Sequence, residues 1–377
     1  MSIKVAHVTL SMGTGGIEKL ILDLCKYTDK ANFNVSVICL DSPGDLYNEL
    51  EPNGIAGLVE QRKPGFDFSL IKRLIHLFKE KKIDVVHSHN QACAFYAGIA
   101  AFMARVPVSV VTEHSRNYIN NNLTRMTEKY IISMLSSKWV NVSKELALYT
   151  IKLDNVNNNK VKVILNGVDC IKCLNPDQNI VNRIRQENNL SKDNKIIVMV
   201  ARLDKIKNHD LMIDSLNLLV KDIKETRLLI VGDGECRNDL NNKVHQLGLS
   251  KEVIFLGLSK NIPEILALSD VFVLCSHSEG LPLSLLEASA AKVPVVITEN
   301  SNGAQFIKNM EKGIVVKDDA ISLAAGIKEC FKNYDQALKM SSNAHIDVVN
   351  NYSLKNTVKE YENLYFELLK RKRNLCV

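Results

Sequence analysis

At 377 residues, 46% hydrophobic and 24% charged, the chain has an ordinary globular composition and enough length for two domains, three at most. No apolar run approaches the ~18 residues of a membrane helix, and nine cysteines without a framework spacing argue for reduced, cytosolic thiols rather than a disulfide scaffold. The net charge of +6 lacks the aromatic interleaving or recognisable module of a nucleic-acid binder, so nucleic acid is not an expected partner.

The chain opens on an apolar run over 4–10, read as a strand with His7 inside it and without the cleavage pattern of a signal peptide. A cytoplasmic protein is expected. Between that strand and a helical pattern over 17–27 lies Ser11-Met-Gly-Thr-Gly-Gly-Ile-Glu18. Glycines there let the backbone approach a ligand closely, and the helix start suits an anion. As a dinucleotide fingerprint the run fails, because Glu18 stands where the third glycine belongs. Asp41, after a strand over 34–40, could imitate the ribose-binding acid of such a site, which keeps a nicotinamide enzyme as a minor alternative.

The charge excess is sharpest in 62–82, where Arg62, Lys63, Lys72, Arg73, Lys79, Lys81 and Lys82 face only Asp67 and Glu80. Apolar residues recur there at helical spacing. Two readings stand: a surface helix with a solvated basic face, or a basic amphipathic helix touching anionic lipid or an acidic acceptor. Further strands are read over 84–87, 108–112, 139–142 and 161–165, with helices over 70–81, 92–104, 123–135 and 144–152. His87-Ser-His-Asn90 and Thr112-Glu-His-Ser115 end two of these strands with polar tips. A histidine at one strand tip is more often structural than catalytic, and no metal-type constellation is evident along the chain.

The polar cluster 155–160 and Asn166-Gly-Val-Asp169 mark a boundary, and the segment after it, through Asn175-Pro-Asp, reads as a linker. Cys170 and Cys173 form a close pair with no second pair to complete a zinc site. Beyond the linker the alternation resumes, with strands over 195–200, 227–231, 253–256, 271–275, 293–297 and 314–316. Such alternation argues for parallel sheets covered by helices on both faces. The expected division is 1–170 and 171–353, with an amphipathic helix over 354–373 packing back on the first domain.

In the second half, Arg202 directly follows a strand and Lys207 stands at the entrance to the next helix. Cations at the carboxyl edge of a sheet are natural partners for a diphosphate. Gly232-Asp-Gly234 is another strand-to-helix turn. The segment 270–298 reads as strand, loop, helix and strand, and carries Glu279 in the loop and Glu287 on a helix otherwise rich in Leu and Ala. A lone carboxylate on so apolar a helix is costly unless something pairs with it. The helix start between the two acids is an anion site, so the pattern is one ligand gripped at both ends with an anion in the middle. Asp318-Asp319 read as helix caps.

Taken in order, Gly15-Gly16, Asn166-Gly-Val-Asp169, Arg202 with Lys207, and Glu279-x7-Glu287 resemble the retaining glycosyltransferases of family 4, over essentially the whole chain. The resemblance implies an α/β protein of the GT-B architecture, two Rossmann-like doubly wound domains facing each other across a cleft. The first would hold the acceptor and the second a nucleotide sugar, a UDP-sugar before a GDP-sugar. It implies transfer of a sugar to a hydroxyl of a lipid-linked or oligosaccharide acceptor in cell-surface polysaccharide synthesis, with no metal and no cofactor beyond the nucleotide sugar. Residue by residue, Arg202 and Lys207 would neutralise the diphosphate and Glu287 would accept from ribose hydroxyls. Glu279 would bind the transferred sugar beside the amides of Gly280 and Leu281, and His114 would sit at the reacting centre. Gly16 would let the first helix approach the diphosphate, Gly232 would belong to the donor site, and Leu283 would supply the amide that Pro282 lacks. The sequence departs from the family at Lys292, where a glycine usually ends the helix, and around 302–306, where a later acid is missing. Rival readings are a nucleotide-sugar epimerase of the same fold and a non-catalytic, transferase-like partner subunit. Peripheral membrane contact through 62–82 would suit a lipid-borne acceptor.

Overall fold

A computed structural model describes residues 2–114, 123–277, 281–301, 303–308 and 311–375. In chain order the strands of the first half are β1 (Ile3–Thr9), β2 (Phe33–Cys39), β3 (Ala56–Val59), β4 (Val85–His89), β5 (Val108–Glu113), β6 (Lys138–Asn141) and β7 (Val161–Val163). Between them run α1 (Gly16–Tyr27), α2 (Phe68–Lys81), α3 (Gln91–Ala104), α4 (Leu123–Leu135) and α5 (Lys144–Lys152). The second half contains β8 (Lys195–Val200), β9 (Thr226–Val231), β10 (Val253–Gly257), β11 (Val271–Leu274), β12 (Val295–Thr298) and β13 (Ile314–Val316). Its helices are α6 (Cys170–Leu174), α7 (Gln178–Glu187), α8 (His209–Asp222), α9 (Arg237–Gln246), α10 (Ile262–Ala267), α11 (Leu283–Ala290), α12 (Gly303–Lys308), α13 (Ala320–Lys332) and α14 (Tyr334–Asn351), and α15 (Leu354–Leu375) ends the chain.

The chain divides into two compact units, Met1–Gly167 with Leu354–Val377, and Val168–Ser353. Each is a parallel sheet: seven strands in the order β3-β2-β1-β4-β5-β6-β7, and six in the order β10-β9-β8-β11-β12-β13. In both, the strand order reverses beside the first strand, where open α/β sheets bind ligands at the carboxyl edge. The central strands β8, β11 and β12 are buried along nearly their whole length, as strands covered on both faces must be.

Gly167 stands at the crossover between the units. A Cβ there would meet Leu354 N and Cα at 2.7 Å, so only glycine admits the returning chain at this point. Beyond it α15 buries Val358, Tyr361, Leu364, Tyr365 and Leu368 in the first unit. Tyr365 and Phe366 meet Phe33 edge-on, and Glu362 accepts from the Asp29 amide at 2.8 Å.

Three sequence readings change. The strand β3 lacks an apolar alternation long enough to be read, and forms because it pairs with β2 over Ser36–Cys39. The stretch read as a linker after Asp169 contains α6, capped by the Asp169 side chain and anchored by Cys173, buried in the core of the second unit. Asp319 caps α13, whereas Asp318 accepts instead from Asn300 at 2.8 Å and lies 3.2 Å from His277 Nδ1. At Lys292 the departure from glycine is accommodated directly, since its backbone takes φ +59°.

Candidate functional site

At the carboxyl edge of the second sheet, three consecutive loops are knitted together. Leu203 donates its amide to Asp233 and accepts from Cys236, and Gly232 donates to Gly257. Gly232 adopts φ +138°, and a Cβ there would lie 2.0 Å from the Ala201 carbonyl. No other residue fits this turn without moving the neighbouring loop. The loop after β8 is thereby held rigid where Arg202 and Lys207 leave it.

Arg202 is exposed, and its Nε and Nη2 both reach Asp204 Oδ2 at 2.7 Å. The other oxygen of Asp204 caps the following turn by accepting from the Lys207 amide at 3.1 Å. One carboxylate therefore aims the guanidinium and fixes the backbone of Lys207. Sequence reasoning did not single out Asp204, although an acid two residues after Arg and three before Lys is a capping pattern. The Ile206 carbonyl accepts from the His277 amide at 2.8 Å, which ties this loop to the one leaving β11.

Glu279 and Gly280 lie outside the described residues. Leu281 and Leu283 are half-buried and lean on the core. The amides at the start of α11 have no partners within the helix, as at any helix start, and Pro282 at its N-cap supplies no side-chain cap. Glu287, a turn further on, is 8% exposed among buried Leu285, Leu286, Ala288 and Ala290. Around the same edge Ser276 Oγ, Thr298 Oγ1, Ser301 Oγ and Asp318 Oδ1 are buried without a hydrogen-bond partner among the described residues. Buried polar atoms of this kind call for a partner, which water or a ligand can supply.

The carboxyl edge of the first sheet has a different character. The loop after β1 is braced by the segment 43–46, with Met12 donating to Pro43 and accepting from Leu46. It leads to Gly16 at the first position of α1, with Gly15 as N-cap. Asp41 pairs with Arg62 at 3.1 and 3.3 Å, so its side chain is engaged away from any ribose-binding role. In 62–82 the apolar face of α2 is spent on the core through Leu70, Ile71, Leu74, Leu77 and Phe78. Arg73 pairs with Glu60 at 2.8 Å, while Phe66 and Phe68 remain about 62% and 61% exposed.

His114, directly after β5, is half-buried. Its Nε2 meets His89 Nδ1 at 3.1 Å, and His89 Nε2 meets His7 Nδ1 at 3.0 Å. His87 Nδ1 meets the Tyr365 hydroxyl and its Nε2 the Thr112 hydroxyl, both at 2.7 Å. Burial pushes the pKa of His7 and His114 down to about 4 and holds His87 and His89 well below the ordinary value near 6.5. All four rings are therefore neutral at pH 7. Beside them burial raises Glu113 to about 7, against the pull of Lys129.

This gathering corrects the reading that no metal-type constellation exists. The nitrogens of His7, His87 and His89 converge to within 4.8 Å, because parallel pairing of β1 with β4 sets His7 opposite His87 and His89 follows on the same face. Residues 80 apart in sequence give no spacing signal. Both His87 nitrogens and one of His7 are already hydrogen-bonded. The set contains no thiolate or carboxylate to offset a buried dication, so hydrogen bonding accounts for these rings better than ligation. Cys170 donates to the Val168 carbonyl, and Cys173 belongs to the core.

Among the described residues no helix is long and apolar enough to cross a membrane. Residues 14–172 match the family model "Glycosyltransferase Family 4", and 181–347 match "Glycosyl transferases group 1". The chain is 28% identical, over 98% of each sequence, to the UDP-Gal:alpha-D-GlcNAc-diphosphoundecaprenol alpha-1,3-galactosyltransferase of Escherichia coli. It is 26% identical to an N-acetylgalactosamine-N,N'-diacetylbacillosaminyl-diphospho-undecaprenol 4-alpha-N-acetylgalactosaminyltransferase of Campylobacter jejuni, over 86% of this chain and 89% of that one. The structure of a glycosyltransferase from Rickettsia africae superposes with a TM-score of 0.84 at 23% identity, over 98% and 99% of the two chains. With its two parallel sheets, a family 4 domain leading and a group 1 domain following, the chain belongs to the glycosyltransferases of the GT-B fold.

Proposed function

We propose that this glycosyltransferase moves a sugar, with retention and without a divalent metal, from a UDP-sugar to a lipid-linked acceptor in cell-surface polysaccharide synthesis. The observation that carries the donor assignment is the carboxyl edge of the second sheet. There a carboxylate on an apolar helix, a helix start and two cations are arranged on loops locked to one another. Arg202, Lys207 and the amides at the start of α11, Leu283 among them, neutralise the diphosphate as it leaves. Glu287 accepts from ribose hydroxyls. Glu279 holds the transferred sugar beside the Gly280 and Leu281 amides. Gly232 keeps the neighbouring turn close, and Gly16 admits the first helix to the diphosphate. His114 offers its ring to the sugar near the reacting carbon. The leaving phosphate takes the acceptor proton on the same face of the sugar, so Glu279 and Glu287 are not a hydrolytic acid pair.

The acceptor assignment is supported by the two relatives, whose names specify diphosphoundecaprenol-linked glycans and alpha linkages. An alpha-configured nucleotide sugar gives an alpha linkage with retention. The enzyme works on the cytoplasmic side of the plasma membrane, touching anionic lipid around 62–82. In support, Phe66 and Phe68 stand exposed beside Lys63 and Lys72, and α4 exposes Met126, Tyr130 and Met134. Incubation with UDP- and GDP-sugars and a polyprenyl-diphosphate glycan, with the product anomer read by NMR, tests the whole reading. An inverted linkage would overturn retention, and turnover lost in EDTA would overturn metal independence. Failure to sediment with anionic vesicles would remove the membrane contact alone.

A further inference from the structure

The three rings His7, His89 and His114 form a single line of hydrogen bonds. Each neighbouring pair has its centroids 5.3 Å apart, with 21° and 22° between ring planes. With nitrogens at 3.0 and 3.1 Å, these rings meet edge to edge and nearly coplanar. His7 and His89 are buried at 2% and 0% exposure. The line ends at His114 Nδ1, itself buried and without a hydrogen-bond partner among the described residues. His87, though 4.2 Å from His89 between centroids, belongs to a separate line through Thr112 and Tyr365.

Neither link in the line can be set alone. A neutral imidazole carries one N–H and one lone pair. If His7 Nδ1 donates, His89 Nε2 must accept, so the His89 proton is on Nδ1 and donates to His114 Nε2. The His114 proton is then on Nδ1. If the first link is reversed, every proton moves to Nε2. All three rings carry the proton on the same nitrogen, and the two polarities present opposite faces at the end of the line. In one, His114 Nδ1 donates; in the other it accepts.

We propose that His89 and His7 are positioning residues that hold His114 in one neutral tautomer, and so fix whether its Nδ1 meets a substrate hydroxyl as donor or as acceptor. The inference rests on the proposed role of His114. A ring in water samples tautomers and orientations independently, whereas a ring anchored at Nε2 by a buried line offers a single atom, Nδ1, in the tautomer that the whole line adopts. No proton leaves the line during transfer. Its contribution is orientation, of the kind that costs about 100-fold in rate when lost.

The test uses the full chain labelled with 15N in its histidine rings. Long-range 15N–1H spectra at pH 7 report the protonated nitrogen of each ring, and His7, His89 and His114 are expected to show one common tautomer. Any ring of the three differing from the others overturns the proposal, with no variant needed. His89→Phe keeps a flat ring and removes both links. It is expected to lower kcat about 100-fold at unchanged affinity for UDP, and to average the His114 tautomers. His89→Asn keeps an amide where Nδ1 stood and should recover about tenfold of that loss. An unchanged kcat and an unchanged His114 tautomer in His89→Phe would overturn the idea. The two readings fail separately: full transfer by His114→Ala removes the role of His114 and leaves the line intact, whereas mixed tautomers beside an essential His114 remove the line alone.

Discussion

The two units share one architecture and put different chemistry on the same edge of it. The carboxyl edge of the second sheet gathers charge, in Arg202, Asp204, Lys207, Glu287 and Asp318, alongside the hydroxyls of Ser276, Thr298 and Ser301. At the corresponding edge of the first sheet stand four imidazoles, and burial keeps all of them neutral. Charges suit an anionic donor, whose diphosphate needs compensation as its charge develops. Neutral rings suit hydroxyl groups, which need donors and acceptors at defined atoms but no counter-charge. A doubly wound sheet dictates where a ligand binds, and the strand-tip residues decide what kind of ligand that is.

The contrast can be attacked at several strengths. The largest effect is expected at Glu279, where Glu279→Ala should abolish transfer, a loss of at least about 100-fold in kcat, while UDP affinity measured by calorimetry stays within a few fold. Full activity would end the assignment of the sugar to the second unit. Next, Arg202→Ala or Lys207→Ala should each weaken UDP binding by about 1.5–3 kcal/mol, the range for a charged hydrogen bond, with uridine affinity unmoved. Equal losses for uridine and UDP would mean these cations do not meet the phosphates.

The neutral edge makes a prediction about acid. An unfolded histidine binds its proton near pH 6.5, whereas His7 and His114 bind one only near pH 4 in the folded unit. Between those values the unfolded state holds more protons, so stability falls as pH drops from about 6.5 toward 4 and is fully present above that window. Each ring contributes a slope on the order of 1 kcal/mol per pH unit. In the first unit burial lowers all four rings, His87 and His89 well below the ordinary value, and Glu113, raised from 4.5 to about 7, offsets one of them over that range; among the described residues the second unit carries His209, lowered to about 4. The first unit should therefore fail first in acid. Trp139, the single tryptophan, is buried on β6 and reports on that unit alone. Its emission should change at a higher pH than hydrogen-exchange protection is lost in β8 and β11. The reverse order would contradict the comparison.

The smallest effect is expected where the C-terminal helix meets the neutral edge. Tyr365→Phe deletes one hydroxyl facing His87 and should cost about 1 kcal/mol or somewhat more, as for a buried hydrogen bond left half made. Urea denaturation followed through Trp139 measures it, and no change would mean that His87 is held by Thr112 alone.

Most of the architecture is local and was readable. Strands such as β8 and β13 and helices such as α4 and α5 begin and end where their apolar periods begin and end, because periodicity is a property of consecutive residues. Arg202, Lys207 and Glu287 were legible for a related reason: each breaks a local pattern at a strand tip or on an apolar helix. Glu279 was singled out in the same way and lies outside the described residues. What stayed hidden depends on partners far apart in the chain. The strand β3 exists by pairing with β2, and α6 by burying Cys173. Asp204 looked like one more loop charge until its two oxygens were seen to serve Arg202 and the Lys207 amide separately.

The histidines show this division most clearly. From the sequence, His7 interrupts a strand and His87, His89 and His114 are tips of separate strands, and nothing in their spacing joins them. Composition, period and ordered motifs were enough to determine two parallel α/β sheets and membership of a transferase family, and to single out the residues of the donor edge proposed for the second half. Only the tertiary structure decided that β1, β4 and β5 lie side by side, because strand order is a matter of packing between distant segments. That adjacency brings four rings into one buried cluster, where desolvation keeps them neutral and hydrogen bonds join three of them into a line ending at His114.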